Sequence, residues 1–259
     1  MNDIKKGRYK NSALFISDKT EAEIINIDIV RDYFFTSNHD IDFSYYITGR
    51  NEISNTDIKS VGITSPSGIF SSKIYDRLIR TDSLNGYIDL FTEDISYSDL
   101  LAAIMSFDII FLSFDIDAFA FDSVGEFEKR KREFVKLKSI LKKYPGRLFI
   151  VVTPVPLAHE SISEEYRKKE IRRTRLLCNY LKNDLCVNNS VNLTVFDLFD
   201  LLALSDENSI NPNTLKPEYI GTERNQLSES AGKFIAYEII DLIKFTSKRL
   251  DRYELKILN

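Results

Sequence analysis

The sequence is short of the residues that build metal centres and disulfide frameworks. Its 259 residues include two cysteines, two histidines, nine glycines and no tryptophan. Cys178 and Cys186 each lie next to leucine or valine, and no histidine or cysteine stands at a metal-ligand spacing from them. This pattern predicts reduced, structural thiols rather than a disulfide. We therefore expect neither a metal nor a cofactor.

Long apolar runs and an excess of positive charge are also absent. No stretch approaches the roughly 18 apolar residues of a membrane-spanning helix. The opening segment, MNDIKKGRYKNS, is polar and lacks the apolar core of a signal peptide. We therefore expect no membrane span and a cytoplasmic location. The net charge of −4 argues against a nucleic-acid partner, because such binders are basic overall.

Apolar segments typical of buried strands alternate with helical patterns along the chain. The polar stretch around Gly62, Pro66 and Gly68 predicts a loop, and residues 83–94 predict a turn and a short strand. Strands are expected at residues 12–16, 41–47, 107–114, 147–154 and 191–199. Helices are expected at residues 21–35, 71–80, 97–107, 126–144, 163–183 and 228–245.

This alternation predicts a three-layer α/β/α sandwich with a central, mostly parallel sheet, of flavodoxin-like type. We expect a single domain over residues 1–259, with residues 1–11 and 247–259 as peripheral tails. In such sheets ligands bind beyond the carboxyl ends of the strands. The candidate site residues therefore follow the predicted strands: Ser17, Asp18, Lys19 and Thr20 after the first, Ser113, Asp115 and Asp117 after a later one, then Thr153 and Asp197.

One of these strand ends, FDIDAFAFDS at residues 114–123, carries two closely spaced carboxylates. It resembles the motif of haloacid dehalogenase-type phosphatases, which implies Asp115 as nucleophile, Asp117 as acid/base, a Mg²⁺ ion, and Thr153 as the phosphate-binding hydroxyl. The chain has Ala118-Phe119 where that family needs Gly-Thr, and the family's later acidic pair is not evident. The alternative interpretation is that Asp115 and Asp117 cap the following loop.

The order of elements over most of the chain is similar to that of the SGNH (GDSL-type) hydrolases, which are three-layer α/β esterases and acetyl-esterases. FDIIFLSFDIDAF resembles that family's third block, and FIVVTPVPL resembles the next strand with its Thr-Pro turn. VNLTVFDLFDLLA resembles the strand that follows, and LKPEYIGTERNQLSESAGKFIAYEIIDLI resembles the final loop and helix. The resemblance implies a serine nucleophile at the first strand-to-helix turn, a C-terminal His oriented by an Asp, and an oxyanion hole.

The residues at those positions depart from the family pattern. Aligned on Gly-Asp-Ser, the turn ISDKT places Ser17 at the glycine and Lys19 at the nucleophile; a shift by one residue places Asp18 there. In the third block, Ser113 stands at the glycine and Asp115 at the oxyanion asparagine. In the final loop, Glu223 stands at the aspartate and Asn225 at the histidine, and the glycine of the second block falls on Gly62 or Gly68.

These departures predict a protein that has lost or impaired catalysis. An asparagine amide does not titrate near neutral pH, a lysine is normally protonated, and an aspartate would repel an oxyanion. We therefore expect a binding protein for a carbohydrate, an acylated ligand or a protein partner. The alternative is a divergent esterase, acetyl-esterase or acyltransferase on O-acylated carbohydrate, with Ser17 or Thr20 as nucleophile and His159 or a carboxylate as base.

Other roles are open for these polar residues. Ser17 or Thr20 would also suit the cap of the helix that follows. The turn 17–20 lacks the glycines of a phosphate-binding loop. Asp18, Lys19, Asp115, Asp117 and Glu223 are predicted to converge, and a Lys19–Asp115 salt bridge would then replace the reactive centre.

Two helical segments, 129–143 and 167–182, are rich in lysine and arginine. They are interpreted either as the solvated outer faces of helices that cover the sheet, or as a docking face for an acidic protein, an anionic polymer or a membrane surface.

Overall fold

The computed structural model describes residues 12–18, 24–36, 42–48, 63–65, 68–69, 84–92, 98–114, 116–158, 164–186, 192–204, 212–222 and 226–257. Seven strands form one sheet in the order β4-β3-β2-β1-β5-β6-β7. The strands are β1 (Ser12–Asp18), β2 (Asp42–Thr48), β3 (Ile63–Ser65), β4 (Gly68–Ile69), β5 (Ile109–Ser113), β6 (Leu148–Val152) and β7 (Leu193–Phe196). The pairs among β2, β1, β5, β6 and β7 are parallel, whereas β3 and β4 add an antiparallel edge.

The helices within the described residues are α1 (Ile27–Thr36), α2 (Leu84–Phe91), α3 (Ser98–Ile104), α4 (Val124–Leu141), α5 (Glu164–Tyr180), α6 (Leu198–Leu202) and α7 (Glu229–Ile257). A π-helical turn, Leu181–Leu185, continues α5. Short 3-10 turns cover Ile116–Phe119 and Pro217–Tyr219.

The central strands are apolar throughout because both faces of the sheet are covered. All five residues of β5 and all five of β6 are buried. One core cluster joins the sheet to α2, α3, α4 and α5, and a second joins its other face to α1 and α7. The expected three-layer α/β/α fold class is therefore confirmed.

The two helices of the second layer cross closely at a glycine. A Cβ atom at Gly232 of α7 would lie 3.0 Å from Ile29 Cγ2 of α1, so the absence of a side chain at this position lets the helices approach. This contact fixes the start of α7 beside α1, and both helix starts lie next to the candidate site described below.

The prediction for residues 83–94 is wrong, because Leu84–Phe91 form helix α2 rather than a turn and strand. Leu84, Tyr87, Ile88 and Phe91 lie on one helical face and are buried in the core. Their burial outweighs the turn preference of the Asn-Gly pair. The predicted loop around Gly62 contains β3 and β4, which pair as a short edge hairpin.

Two other boundaries differ from prediction. The last strand ends at Phe196, because the Asp197 side chain accepts a hydrogen bond from Asp200 N and caps α6. Helix α7 does not end at residue 245 as predicted but extends to Ile257, so it includes most of the predicted tail 247–259. The predicted helix 71–80 lies outside the described residues. The single domain stays a prediction.

Candidate ligand crevice at the carboxyl ends of strands β1 and β5

Strands β1 and β5 are adjacent and parallel, but the connections that leave them run to opposite sides of the sheet. Helix α1 follows β1 and packs in one layer, whereas α4 follows β5 and packs in the other. Such a reversal opens a crevice at the carboxyl ends of the two strands, where ligands bind in open α/β sheets. The crevice between β1 and β5 is therefore the candidate ligand site.

Tyr87 of α2 closes the inner end of this crevice. The ladder between β1 and β5 ends at the pair Ile16–Leu112. Beyond it, the Tyr87 hydroxyl donates to the carbonyl oxygen of Ser113 at 2.7 Å, and the carbonyl oxygen of Ile16 lies 3.3 Å away. Tyr87 is fully buried, so its hydroxyl supplies a donor where strand pairing stops.

Tyr87 is a site residue that the sequence pattern does not indicate. The turn and short strand predicted for its segment give the ring no defined direction. The available signal was the spacing of Leu84, Tyr87, Ile88 and Phe91, which is helical.

Ser17 and Ser113 follow the last pair of the β1–β5 ladder, and their hydroxyl groups are buried without a hydrogen-bond partner among the described residues. Each residue is 1% exposed. Strand alternation places both side chains on the face that carries Phe15 and Phe111, whose rings stack at 5.7 Å between centroids. A buried hydroxyl without a partner costs about 1–3 kcal/mol, so this pair is a polar feature that calls for a bound group.

Thr153, at the end of β6, has its hydroxyl engaged within the protein. It donates to Asp197 Oδ1 at 3.1 Å and accepts from the backbone N–H of Phe199 at 2.9 Å. Thr153 follows Val151, a member of the core cluster on the α4 and α5 side, so its side chain lies on the opposite face from Ser17 and Ser113. Thr153 thus joins β6 to the start of α6.

Charged side chains surround Asp197 on that face. The Lys182 ammonium lies 2.9 Å from Asp197 Oδ2 and 3.0 Å from Asp200 Oδ2. Lys182 therefore forms an ion pair with both carboxylates. Arg175 pairs with Asp200 and donates to Asn213 Oδ1 at 2.8 Å.

The pKa values of two groups in and beside this network shift in opposite directions. Burial alone would raise the pKa of Asp200, but hydrogen bonds from Lys182 and Arg175 outweigh it and lower that pKa. Burial, reinforced by the charge of Asp197, raises the pKa of the Cys178 thiol well above its usual value. Cys178 and Cys186 are both buried and free, as predicted, and the Cys178 thiol stays protonated at neutral pH.

Asp117 is an exposed residue of the 3-10 turn that follows β5. It lines a surface groove of about 330 Å³, together with Ala120, Phe121, Asp122, Glu126, Lys129 and Arg130. In the part of the chain that the structure describes, no group of three His, Cys, Asp or Glu side chains is placed to hold a metal ion.

The remaining candidates lie outside the described residues: Lys19, Thr20, Asp115, His159, Glu223, Asn225 and the side chain of Asp18. The predicted convergence of charges around Lys19 stays a prediction. The described residues that flank two of these segments are in contact, because Leu227 N donates to the carbonyl oxygen of Ile24 at 2.9 Å. Gly221 N donates to Gln226 O at 2.8 Å, which ties the two ends of the 221–226 segment together.

Within the described residues, no helix is long and apolar enough to cross a membrane.

Two solved structures resemble the chain at low identity. A protein from Streptococcus pneumonia, described provisionally as a platelet activating factor, is 16% identical with a TM-score of 0.49, over 90% of this chain and 84% of that chain. A protein from Bacteroides fragilis, described provisionally as an acylhydrolase, is 15% identical with a TM-score of 0.48, over 92% of this chain and 88% of that chain. No described protein family and no curated protein matches the sequence. Similarity at this level assigns no activity to the chain.

Proposed function

We propose that the chain is an SGNH-hydrolase-like binding protein with lost or impaired ester hydrolysis, which holds a carbohydrate or acylated ligand in the crevice between β1 and β5. The observation that carries the proposal is the pair of buried, unpartnered hydroxyls of Ser17 and Ser113 at the point where the connections reverse. A binding site needs polar groups that are free to hydrogen-bond with a ligand. The hydroxyls of Ser17 and Ser113 are two such groups in the crevice.

The state of Ser17 supports the loss of catalysis. A serine nucleophile needs a base within hydrogen-bond reach to take its proton. Among the described residues, the buried Ser17 hydroxyl has no hydrogen-bond partner, so no base in that part of the chain is in place to activate it. In the alignment on Gly-Asp-Ser, Lys19 and Asn225 would stand at the serine and histidine positions, and neither can act as the residue it replaces.

The competing function is a divergent esterase or acyltransferase. An assay with a short-chain aryl acetate separates the two, using the wild type, Ser17→Ala and His159→Ala. Ser12→Ala is the matched control, since Ser12 lies at the opposite end of the same strand. We expect hydrolysis at the uncatalysed rate for all four proteins. Robust wild-type hydrolysis that either Ser17→Ala or His159→Ala abolishes would establish the esterase instead.

We also propose that α4 docks an acidic protein partner. Lys129, Arg132 and Lys136 follow one another at helical spacing on its exposed face, and none forms an ion pair within the described part of the chain. On α5 and its π-helical turn, three cations are less available, because Arg173 pairs with Asp122, Arg175 with Asp200 and Lys182 with Asp197.

The docking proposal is tested with polyglutamate as an acidic probe. We expect the double variant Arg132→Glu/Lys136→Glu to lose binding and the wild-type affinity to fall steeply with salt. Lys233→Glu/Lys244→Glu on α7, in the opposite layer, is the control that keeps the same net charge. Equal binding by both double variants would refute docking through α4.

A further inference from the structure

We infer that the outer seam between α4 and α5 binds an acidic amphipathic helix of a protein partner, whose apolar stripe covers Val124, Val135 and Leu176. The outer seam is the line along which these two helices meet on the solvent side of their layer. The inference rests on the proposed docking through α4 and names the class of partner segment that docks there.

Three exposed apolar side chains lie on the layer that α4 and α5 form. Within the described residues, six large apolar side chains are exposed, and three of them belong to these two helices. Val124 is 80% exposed, Leu176 is 54% exposed and Val135 is 49% exposed. Single exposed apolar residues are ordinary on protein surfaces, so the relative position of these three decides whether they form a site.

Helices α4 and α5 run side by side in the same direction. They follow the adjacent parallel strands β5 and β6, and both pack on one face of the sheet. Two contacts fix their relative position. Arg173 pairs with Asp122 at 2.8 Å just before α4, and the Lys131 ammonium lies 4.9 Å from the centre of the Tyr180 ring. The part of α5 between these contacts therefore lies beside the first half of α4.

Helical spacing places all three apolar residues along the outer seam. Val124 and Val135 stand seven residues before and four residues after Lys131, so they share the side of α4 that reaches α5. Leu176 stands four residues before Tyr180, on the side of α5 that reaches α4. Val124 and Val135 lie about 16 Å apart along α4, and Leu176 lies between them along that axis. The three residues therefore form a line about three helical turns long.

The charges around this line favour an acidic partner. Lys131, within the seam, is paired with Glu128 at 3.0 Å, so this pair leaves no net charge there. The exposed cations beside the line on α4 and α5 are Arg132, Lys136, Lys169 and Arg172. Carboxylates on the edges of a partner's apolar stripe would be attracted to these cations, whereas a basic segment would be repelled.

A helix fits this surface better than a flat membrane does. An amphipathic helix with apolar residues at positions i, i+4, i+7 and i+11 carries an apolar stripe of about 16 Å, the length of the line. A flat anionic membrane would also meet the exposed carboxylates near the ends of the seam, which belong to Asp122, Glu126 and Asp184. Its lipid head groups would repel them.

The test compares two helical peptides of about 18 residues, built from glutamate, alanine and leucine, for binding to the full chain by fluorescence anisotropy. In the striped peptide the leucines recur at i, i+4, i+7 and i+11. In the scattered peptide the same residues are arranged so that the leucines surround the helix. We expect the striped peptide to bind more tightly than both the scattered peptide and polyglutamate.

Variants of the exposed apolar residues show where the striped peptide binds. Val135→Ser/Leu176→Ser is expected to weaken its binding about tenfold, because apolar surface is no longer covered, and to leave polyglutamate binding unchanged. Phe245→Ser is the matched control, since Phe245 is 70% exposed on α7 in the opposite layer, and it should change neither. Leu176→Ser alone serves the test if the double variant fails to fold.

Three outcomes would overturn the inference. Equal affinity for the two peptides would show that the apolar stripe is not recognised. Striped-peptide binding that Val135→Ser/Leu176→Ser leaves unchanged would place the contact elsewhere. Phosphatidylglycerol vesicles that bind more tightly than the striped peptide, and lose binding in the same variant, would show a membrane-binding surface instead.

Failure of this inference is distinguishable from failure of the proposed docking. Polyglutamate binding that Arg132→Glu/Lys136→Glu abolishes, without a preference for the striped peptide, leaves a docking face that recognises charge alone. Absence of binding to polyglutamate and to both peptides refutes the docking proposal together with the inference.

Discussion

Replacing the crevice serines by alanine is expected to stabilise the free protein. Ser17→Ala and Ser113→Ala each remove a buried hydroxyl that has no partner. The methyl group of alanine needs no hydrogen bond, so the desolvation cost of the hydroxyl disappears. Most changes of a buried polar residue to alanine lower the free energy of unfolding. An increase at these two positions would therefore indicate hydroxyls without a hydrogen-bond partner in the free protein.

The magnitude follows from the cost of an unsatisfied hydroxyl, which is about 1–3 kcal/mol. The lost oxygen also made dispersion contacts with its neighbours, so the net gain is expected near the lower end, about 1 kcal/mol per site. In a chain of this length that gain raises Tm by roughly 2–4 °C. The control Ser12→Ala should lose about 1 kcal/mol, because Ser12 Oγ donates to Asp108 Oδ2 at 3.2 Å and accepts from Asp108 N at 3.1 Å.

The assay is urea unfolding of the wild type, the three single variants and the Ser17→Ala/Ser113→Ala double variant. If both hydroxyls are open, the two gains add. A water molecule shared by the serines would instead make each single change destabilising, since the water and the remaining hydroxyl each lose a partner, and the double variant would be non-additive. A loss of stability in both single variants would refute the reasoning.

Three further changes test the structure around the crevice. Thr153→Val should cost about 1–3 kcal/mol in urea unfolding, because the N–H of Phe199 and an oxygen of Asp197 lose their shared partner. Asp200 has a lowered pKa, so it contributes stability above its unfolded pKa near 4, and this is lost as pH falls through its folded value. Asp200→Asn should therefore be less sensitive to acid than the wild type as pH falls below about 4 in unfolding curves, and equal sensitivity would contradict this. Gly221→Ala should lower Tm, because the new Cβ would meet Gln226 O at 2.7 Å, whereas at Gly146 the same change meets no atom within 4 Å and should be neutral.

Much of the fold is predictable from local pattern. The near-continuous apolar runs at residues 107–114 and 147–154 predict strands covered on both faces, and β5 and β6 are such strands. The stripe of apolar residues between lysines at 126–144 predicts α4, where Phe134, Leu137 and Leu141 are buried. The prediction of a turn and strand at residues 83–94 is wrong. There the burial of Tyr87 and its neighbours in a helix outweighs the turn preference of the Asn-Gly pair.

The candidate site was only partly predictable, for a related reason. Strand-end positions identified Ser17, Ser113 and Thr153 as one group, because parallel strands end at one edge of the sheet. The direction of each side chain depends on where its strand ends and how it pairs. The strand positions place these side chains on opposite faces of the sheet. Thr153 lies on the face of the charged network, and the two serines lie on the face of the aromatic rings.

The sequence by itself determined most of the strands and helices, that helices cover both faces of the sheet, and that polar residues follow the strands. These properties depend on the period and polarity of neighbouring residues. Only the tertiary structure decided that β1 lies beside β5, that Ser17 and Ser113 share one face, and that Tyr87 ends their ladder. Strand order and register arise from contacts between residues far apart in the chain, and those contacts left two hydroxyls open in an apolar crevice.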